Sequence, residues 1–336
     1  MVTEENRKLS DDTANEIAEQ VARRWRRIDP LLPRPVPQAR PHCGAPLDIS
    51  DDSAVIAAGR CEHWAAAPDS LDLSWGAARR FQLSAAVAGP GVADGLGRLL
   101  AAWREHLHSL PGAGDADTAA VLNWPSRDAD GIAALLKHGL DPLEVIAARP
   151  TRRRASAGPS SATRDGGVLR LDDHTLIRRA GIADTDVIAR MGREVIRFDS
   201  RFGAVNERPN TLTALRREAA GLVGGPAPWA WLAERDGEAV GMLAAQPPAA
   251  AAWIASLTGT APAAYLMLMF VEPGERAAGV GSALVDEFHR EAEAAGVAVI
   301  LLHYEQLNPL SMPFWSRHGY RPLWTTWQAS PASAIR

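Results

Sequence analysis

Residues 265–284, YLMLMFVEPGERAAGVGSAL, join an apolar run to a glycine-containing loop and the start of a helical pattern. The first N–H groups of a helix lack intrahelical acceptors and lie at the positive end of its dipole, so this arrangement suits phosphate. Gly279 and Gly281 let the backbone approach a ligand closely, and Arg276 can add a forked cationic contact. The segment predicts a pyrophosphate-binding site, with an ordinary strand-to-helix turn as the alternative.

The spacing does not fit two other phosphate loops. A dinucleotide-binding fold needs a third glycine where Leu284 stands, and a long βαβ series that the short remainder of the chain cannot supply. A P-loop needs a lysine directly after its last glycine, whereas Ser282 follows Gly281.

The spacing from Arg276 to Gly281 resembles instead the R/Q-x-x-G-x-G/A loop of the GNAT acetyltransferase family, which holds the pyrophosphate of acetyl-CoA. Upstream, the Asp236-Gly237 turn between two apolar runs predicts the hairpin that the family places before this strand. The resemblance covers residues 171–328, and downstream it is carried by Asn308, Trp315, Gly319 and Tyr320.

The resemblance implies which residues bind acetyl-CoA. Phe270 and Val271 would offer backbone to pantetheine where the family's fourth and fifth strands splay, and Asn308 would contact the pantetheine arm. Trp315 joins this set, although it stands where many members carry a tyrosine general acid, and an indole N–H cannot act as an acid near neutral pH. The pyrophosphate would be held by Arg276, Ala277, Ala278, Gly279, Val280, Gly281 and Ser282.

Acetyl transfer to an amine also needs a base, because an amine of pKa about 10.4 is only about one part in a thousand neutral near pH 7. His303, near the end of the predicted fifth strand, stands where relatives that acetylate protein N-termini often carry a glutamate. The alternative is a histidine that only packs between strands. Glu272, after the fourth strand, is the second candidate for the base. The alternative is that Glu272 is only an exposed carboxylate in a turn.

An internal repeat extends the resemblance to the first half of the chain. Lys137 to Leu143 aligns with Arg317 to Leu323, and Gly95-Leu96-Gly97 aligns with Gly279-Val280-Gly281. We therefore expect an α/β (α+β) fold of two tandem GNAT-like units, each a mixed, mostly antiparallel sheet flanked by helices. The expected division is a domain at 1–148, a flexible linker at 149–170 and an acetyltransferase domain at 171–336.

The first unit resembles a degenerate copy. Val92 stands where Arg276 stands in the second unit, Asp94 puts a negative charge in the loop, Asp128 replaces Asn308 and Leu135 replaces Trp315. A carboxylate repels phosphate, and a missing arginine removes a charge-assisted contact.

Composition narrows the classes of protein that remain possible. A formal net charge of −4 gives no general attraction to nucleic acid, and no apolar run is long enough to span a membrane. Two cysteines, Cys43 and Cys61, are too few for a disulfide framework and fit a reducing cytosol. We expect a cytoplasmic, metal-free N-acetyltransferase that uses acetyl-CoA and a small-molecule or peptide amine. The alternative is a non-catalytic acyl-CoA-binding or regulatory protein.

Overall fold

A computed structural model describes residues 11–35, 45–51, 54–151, 163–165 and 168–336. The α-helices are α1 (Asp11–Ile28), α2 (Val92–Ser109), α3 (Ala129–Lys137), α4 (Thr185–Asp199), α5 (Thr211–Val223), α6 (Ala252–Ala255), α7 (Val280–Ala294) and α8 (Ser311–Arg317). The strands are β1 (Ala45–Asp51), β2 (Ala54–Ala65), β3 (Arg79–Val87), β4 (Thr118–Pro125), β5 (Asp141–Pro150), β6 (Thr163–Asp165), β7 (Val168–Arg170), β8 (Thr175–Arg179), β9 (Ala230–Arg235), β10 (Glu238–Gln246), β11 (Ala263–Val271), β12 (Val299–Glu305) and β13 (Arg321–Ala329).

These residues form two compact units. Unit 1 draws on Met1–Ala66, Ala77–Val145 and Pro322–Arg336, and unit 2 on Ala67–Gly76 and Ile146–Arg321. No helix within the described ranges is both long enough and apolar enough to cross a membrane.

Unit 2 carries a mixed sheet with helices on both faces. Its strand order is β5-β12-β11-β10-β9-β8-β7-β6, with antiparallel pairing from β6 to β11 and parallel pairing between β11 and β12. Because strand side chains alternate, Met242 packs toward α4 and α5, whereas a side chain at Gly241 would meet Leu284 and Val280 of α7. The predicted hairpin is confirmed: Asp236 and Gly237 both have positive φ, as its tight turn requires.

Unit 1 has the strand order β1-β2-β3-β4-β13, with β3 and β4 parallel and β13 antiparallel to β4. Its core packs α2 and α3 against the sheet, and Leu99 and Trp103 are fully buried there. The first helix, α1, carries Ile17, Val21 and Trp25 on its buried face.

Strand registers confirm the internal repeat. Val87 pairs with Ala57 and Val271 pairs with Gly241, so the two pairs are displaced equally along the chain. The end of the repeat agrees as well: the backbone N–H of Leu140 donates to Leu135, that of Tyr320 donates to Trp315, and the glycine before each donor has positive φ.

The two units do not divide at the expected linker, 149–170. The difference lies in the last strand of each repeat. Residues from Pro322 onward complete unit 1, and Ile146 to Pro150 of β5 belong to unit 2. The physical reason is that β5 and β13 are equivalent repeats, and a repeat alone does not determine which sheet each strand joins. Within the expected linker, β6 and β7 form an antiparallel pair, while 152–162 and 166–167 lie outside the described residues.

Candidate functional site

The central feature of unit 2 is a gap between two parallel strands. β11 and β12 pair from Ala263 with Val299 to Leu266 with Leu302, where the ladder between them ends. β11 continues to Val271 against β10, and β12 continues to Glu305. A register shift beside β10 leaves Met267 as an extra residue, a β-bulge of the kind that bends a strand. We call the gap between 267–271 and 303–305 the strand opening.

Backbone alternation decides which groups face the strand opening. The Glu272 N–H donates to the Val240 carbonyl at 2.9 Å, which makes this pair a hydrogen-bonded one. Because alternate residues of a strand face opposite ways, Val271 and Met269 direct their N–H and C=O groups away from β10 and toward the strand opening. Phe270, expected to offer backbone to a ligand, directs these groups toward β10 and buries its ring beside α4 and α5. Met269 provides the second open backbone position instead.

The phosphate loop, residues 276–281, follows a short 3-10 turn and leads into α7. Ala277 and Gly279 have left-handed φ values of 65° and 86°, and Gly279 is the N-cap of the helix. These two residues stop the helix from starting earlier, so the amides of Val280, Gly281 and Ser282 remain in its first turn without intrahelical acceptors. The first turn contains no acidic residue. The predicted strand, loop and helix are thus present, and the helix end carries a positive field.

Arg276 lies at the edge of this loop. Its Nε–H donates to the Val271 carbonyl at 3.1 Å, and its guanidinium carbon lies 5.6 Å from the centre of the Phe198 ring. The side chain is exposed beside the helix N-terminus, where a cation adds to the attraction for an anion.

Side chains from α8 border the phosphate loop. A methyl group added at Gly281 would lie 3.5 Å from Phe314 and from Val271, and the Ser282 hydroxyl is 3.2 Å from Nε2 of His318. Burial lowers the pKa of His318, so its imidazole is neutral near pH 7. Phe314 and His318 were not among the predicted site residues, although both lie between Asn308 and Tyr320, which carry the family resemblance.

Asn308 is engaged by the protein itself. Its Nδ2 donates to Oδ1 of Asp199 at 2.8 Å, and its Oδ1 accepts the Leu310 N–H at 3.0 Å. Burial raises the pKa of Asp199 to about 6, and the hydrogen bond from Asn308 partly opposes that shift. Asn308 therefore fixes the start of α8 and holds Asp199, and its predicted contact with pantetheine remains a prediction. Trp315 packs edge-on against Tyr320 and is buried.

His303 belongs to an aromatic cluster, which we define as Trp253, Tyr265 and His303. The Tyr265 hydroxyl is 3.1 Å from Nδ1 of His303, and the Trp253 ring lies nearly parallel to the imidazole, 6.3 Å away. Trp253 packs edge-on against Tyr265 at 4.9 Å, is 55% exposed and donates from Nε1 to Gln246 at 2.7 Å. Trp253 was not among the predicted site residues, although it is the one tryptophan in the alanine- and proline-rich 247–262 segment.

Glu272 lies far from the aromatic cluster. It precedes the 3-10 turn Pro273–Glu275, is exposed, and follows Tyr265 by most of the length of β11. The strand rise puts roughly 20 Å between Tyr265 and Glu272. The two candidate bases, His303 and Glu272, therefore lie at opposite ends of the strand opening, and His303 is the one beside the paired part of the two strands.

The corresponding segment of unit 1 has a different geometry. α2 begins at Val92 after the N-cap Gly91, and the Gly95 N–H donates to the Gly91 carbonyl at 2.9 Å. Gly95 corresponds to Gly279, so the amides that would bind phosphate lie inside a continuous helix. Asp94 lies in its first turn. Pairing of β2 with β3 also runs without the bulge found in β11.

Comparisons with known proteins agree with this architecture. Residues 198–320 match the model of the acetyltransferase (GNAT) family. A GCN5-related N-acetyltransferase from Sphaerobacter thermophilus is 14% identical, covers 97% of this chain and 95% of its own, and superimposes with a TM-score of 0.54. That identity shows the fold alone.

Two further solved structures superimpose with lower TM-scores. A tandem GNAT protein from the clavulanic acid biosynthesis pathway is 14% identical over 96% of both chains, with a TM-score of 0.42. An aminoglycoside N-acetyltransferase solved with CoA is 17% identical over 45% of this chain and 90% of its own, with a TM-score of 0.36. No curated protein matches. Residues 198–320 thus form a domain of the acetyltransferase (GNAT) family, in a chain built from two units of the GNAT fold.

Proposed function

We propose that this protein is an acetyl-CoA-dependent N-acetyltransferase that acetylates a primary amine of a small molecule or peptide, with unit 2 as the active unit. One observation carries the proposal: the helix N-terminus that follows the 276–281 loop lies at one end of the strand opening and the His303–Tyr265 pair at the other. A donor with a pyrophosphate, an extended arm and a thioester has the same order of parts.

Positioning of the donor rests on backbone groups. The first-turn amides of α7 and Arg276 would hold the pyrophosphate, while Val271 and Met269 would pair with the amides of the pantetheine arm. Holding two reactants in a productive geometry can lower a barrier by about 7 kcal/mol or more. The arm would run from Val271 toward Leu266, a span of roughly 15 Å along the strand, which brings the thioester toward the aromatic cluster.

Deprotonation of the amine falls to His303. The Tyr265 hydroxyl at 3.1 Å fixes the orientation of the imidazole, as a base in general acid–base catalysis requires. The amine then attacks the thioester carbonyl directly, the C–S bond breaks, and the CoA thiolate takes up a proton. Tyr265 is the hydroxyl of the cluster that could deliver it, since Trp315 is no acid. Glu272, at the phosphate end, is left without a catalytic role.

Recognition of the amine would use Trp253. A half-exposed indole over the base presents a π-face that attracts an ammonium group before it loses its proton. This favours cationic amines over neutral acceptors.

Unit 1 would then have a structural role. Arg24 contacts the end of β3. Its Nη1 donates to the Val87 carbonyl at 3.0 Å, and its Nη2 lies 3.3 Å from the Asp128 carboxylate. With its loop absorbed into α2 and Asp94 at the helix start, this unit repels phosphate instead of binding it.

The test combines binding with turnover. Acetyl-CoA should raise the melting temperature of the protein, Arg276→Glu should abolish that rise, and a panel of amines should include one that releases CoA thiol. Arg201→Glu, a neighbouring surface charge reversal, is the matched control and should keep the rise. No stabilisation of the unmutated protein at saturating acetyl-CoA would refute the proposal.

A second candidate is a non-catalytic acyl-CoA-binding protein, and the specific observation in its favour is buried Trp315 where relatives carry an acid. Stoichiometric CoA binding without thiol release for any amine of the panel would favour it.

A further inference from the structure

Three metal-ligating side chains meet in unit 1, away from the acetyl-transfer site. We define the Cys-His cluster as Cys61 and His63 of β2 with His106 of α2. One ligand atom of each, Sγ or a ring nitrogen, lies within 4.8 Å of the other two.

The fold brings these residues together for simple reasons. Cys61 and His63 are two apart on a strand, so their side chains project from the same face. Trp103 and His106 are three apart on α2 and share the helix face that covers the strand. Nε1 of Trp103 donates to Sγ of Cys61 at 3.2 Å, and the His63 ring packs edge-on against Phe81 at 4.7 Å. The cluster is thus held by buried neighbours on both sides.

Two features indicate a ligand. Nε2 of His106 is buried and has no hydrogen-bond partner among the described residues, an arrangement that costs free energy unless something binds the nitrogen. The donor set of one thiol and two imidazoles, with no carboxylate, suits a borderline-soft divalent cation. Tetrahedral zinc with bonds of about 2.0–2.3 Å sets its ligand atoms about 3.3–3.8 Å apart, so binding would draw the three atoms together from their separation of up to 4.8 Å.

We propose that Cys61, His63 and His106 bind Zn²⁺ as three protein ligands, with water in the fourth position. Binding releases the thiol proton as the sulfur–zinc bond forms, so the charge balance is a thiol and Zn²⁺ giving a zinc thiolate and a proton. The Trp103 N–H then donates to a thiolate, the outer-sphere contact that orients a metal ligand. The ion would fasten α2 to β2 in the unit whose phosphate loop has been lost.

The experiment uses tag-free full-length protein, stripped of metal and titrated with Zn²⁺ and with Co²⁺ as a spectroscopic probe. We expect one zinc per chain, a higher melting temperature with zinc, and the near-ultraviolet charge-transfer absorption of a cobalt thiolate. His106→Ala should weaken zinc at least about 100-fold, since loss of an outer-sphere partner alone costs about 10–100-fold.

Two matched variants separate the cluster from other donors. His108→Ala removes a histidine of the same helix that contacts the Ser333 carbonyl, and Cys43→Ala removes the chain's other thiol. Both should keep the zinc stoichiometry and the cobalt absorption. Absence of stoichiometric binding, a cobalt absorption that survives Cys61→Ala, or an unchanged zinc affinity in exposed His63→Ala would overturn the proposal. Because Cys61 is the remaining thiol of the Cys43→Ala protein, the cobalt spectrum of that variant decides the matter even where Cys61→Ala fails to fold.

Discussion

Gly279 gives a direct test of the phosphate loop, because a substitution there changes the preferred backbone conformation without causing a side-chain clash. Its φ is 86°, in the left-handed region, and a methyl group added there would meet no atom within 4 Å. Gly279→Ala therefore costs only the backbone penalty of a left-handed residue, about 1–2 kcal/mol. Unit 1 supplies the competing state, since Gly95 at the equivalent position is helical.

If acetyl-CoA binds only the loop with Gly279 left-handed, that penalty appears in its affinity. A free energy of 1–2 kcal/mol corresponds to a dissociation constant about 5–30-fold weaker. Isothermal titration of acetyl-CoA measures it directly. Gly274→Ala is the control, because this glycine also has nothing within 4 Å of an added methyl group but no left-handed φ, so its affinity should stay unchanged. Equal affinities for the two variants would refute the argument that loop geometry aims the amides.

The other predictions concern charge, base and pH. Ala278→Asp, which copies the acid of unit 1, should weaken acetyl-CoA about tenfold or more and increasingly so at low salt, whereas neutral Ala278→Asn should not; titrations at two salt concentrations compare them. His303→Ala should lower kcat about 100-fold or more at unchanged acetyl-CoA affinity, with exposed His174→Ala as the control; an unaltered kcat would return His303 to a packing role. Burial raises the pKa of Asp199 to about 6, above its unfolded value near 4. As pH rises, the unfolded state therefore loses this proton before the folded state does. The free energy of unfolding then falls between about pH 4 and pH 6, by up to about 3 kcal/mol. Asp199→Asn should remove that fall in denaturant titrations, and parallel curves for both proteins would contradict it.

Local patterns predicted the parts of unit 2 that depend on neighbouring residues. Asp236-Gly237 predicted a hairpin because both residues tolerate positive φ, and Gly279 predicted a helix start for the same reason. The His303–Tyr265 contact joins residues 38 apart, and no short-range pattern encodes it. The bulge at Met267 was equally hidden, because the apolar run around it reads the same with or without the extra residue.

The same limit explains unit 1. The glycines of Gly95-Leu96-Gly97 align with those of the phosphate loop, yet they lie within α2, since glycine permits a left-handed turn without enforcing it. Side chains separated along the chain, such as His63 and His106, become neighbours only once α2 covers β2.

The placement of β13 has a consequence for how the chain acquires its structure. The sheet of unit 1 ends in a strand that is synthesised only after the second repeat, paired with β4 from Trp324 with Pro125 to Ala329 with Ala120. Unit 1 therefore cannot finish folding during synthesis of its own repeat, and the edge of β4 stays unpaired until β13 has been made. Such long-range pairing slows folding and leaves an edge open to wrong partners. A truncation after Tyr320 would accordingly damage the N-terminal unit, from which it is most distant in sequence.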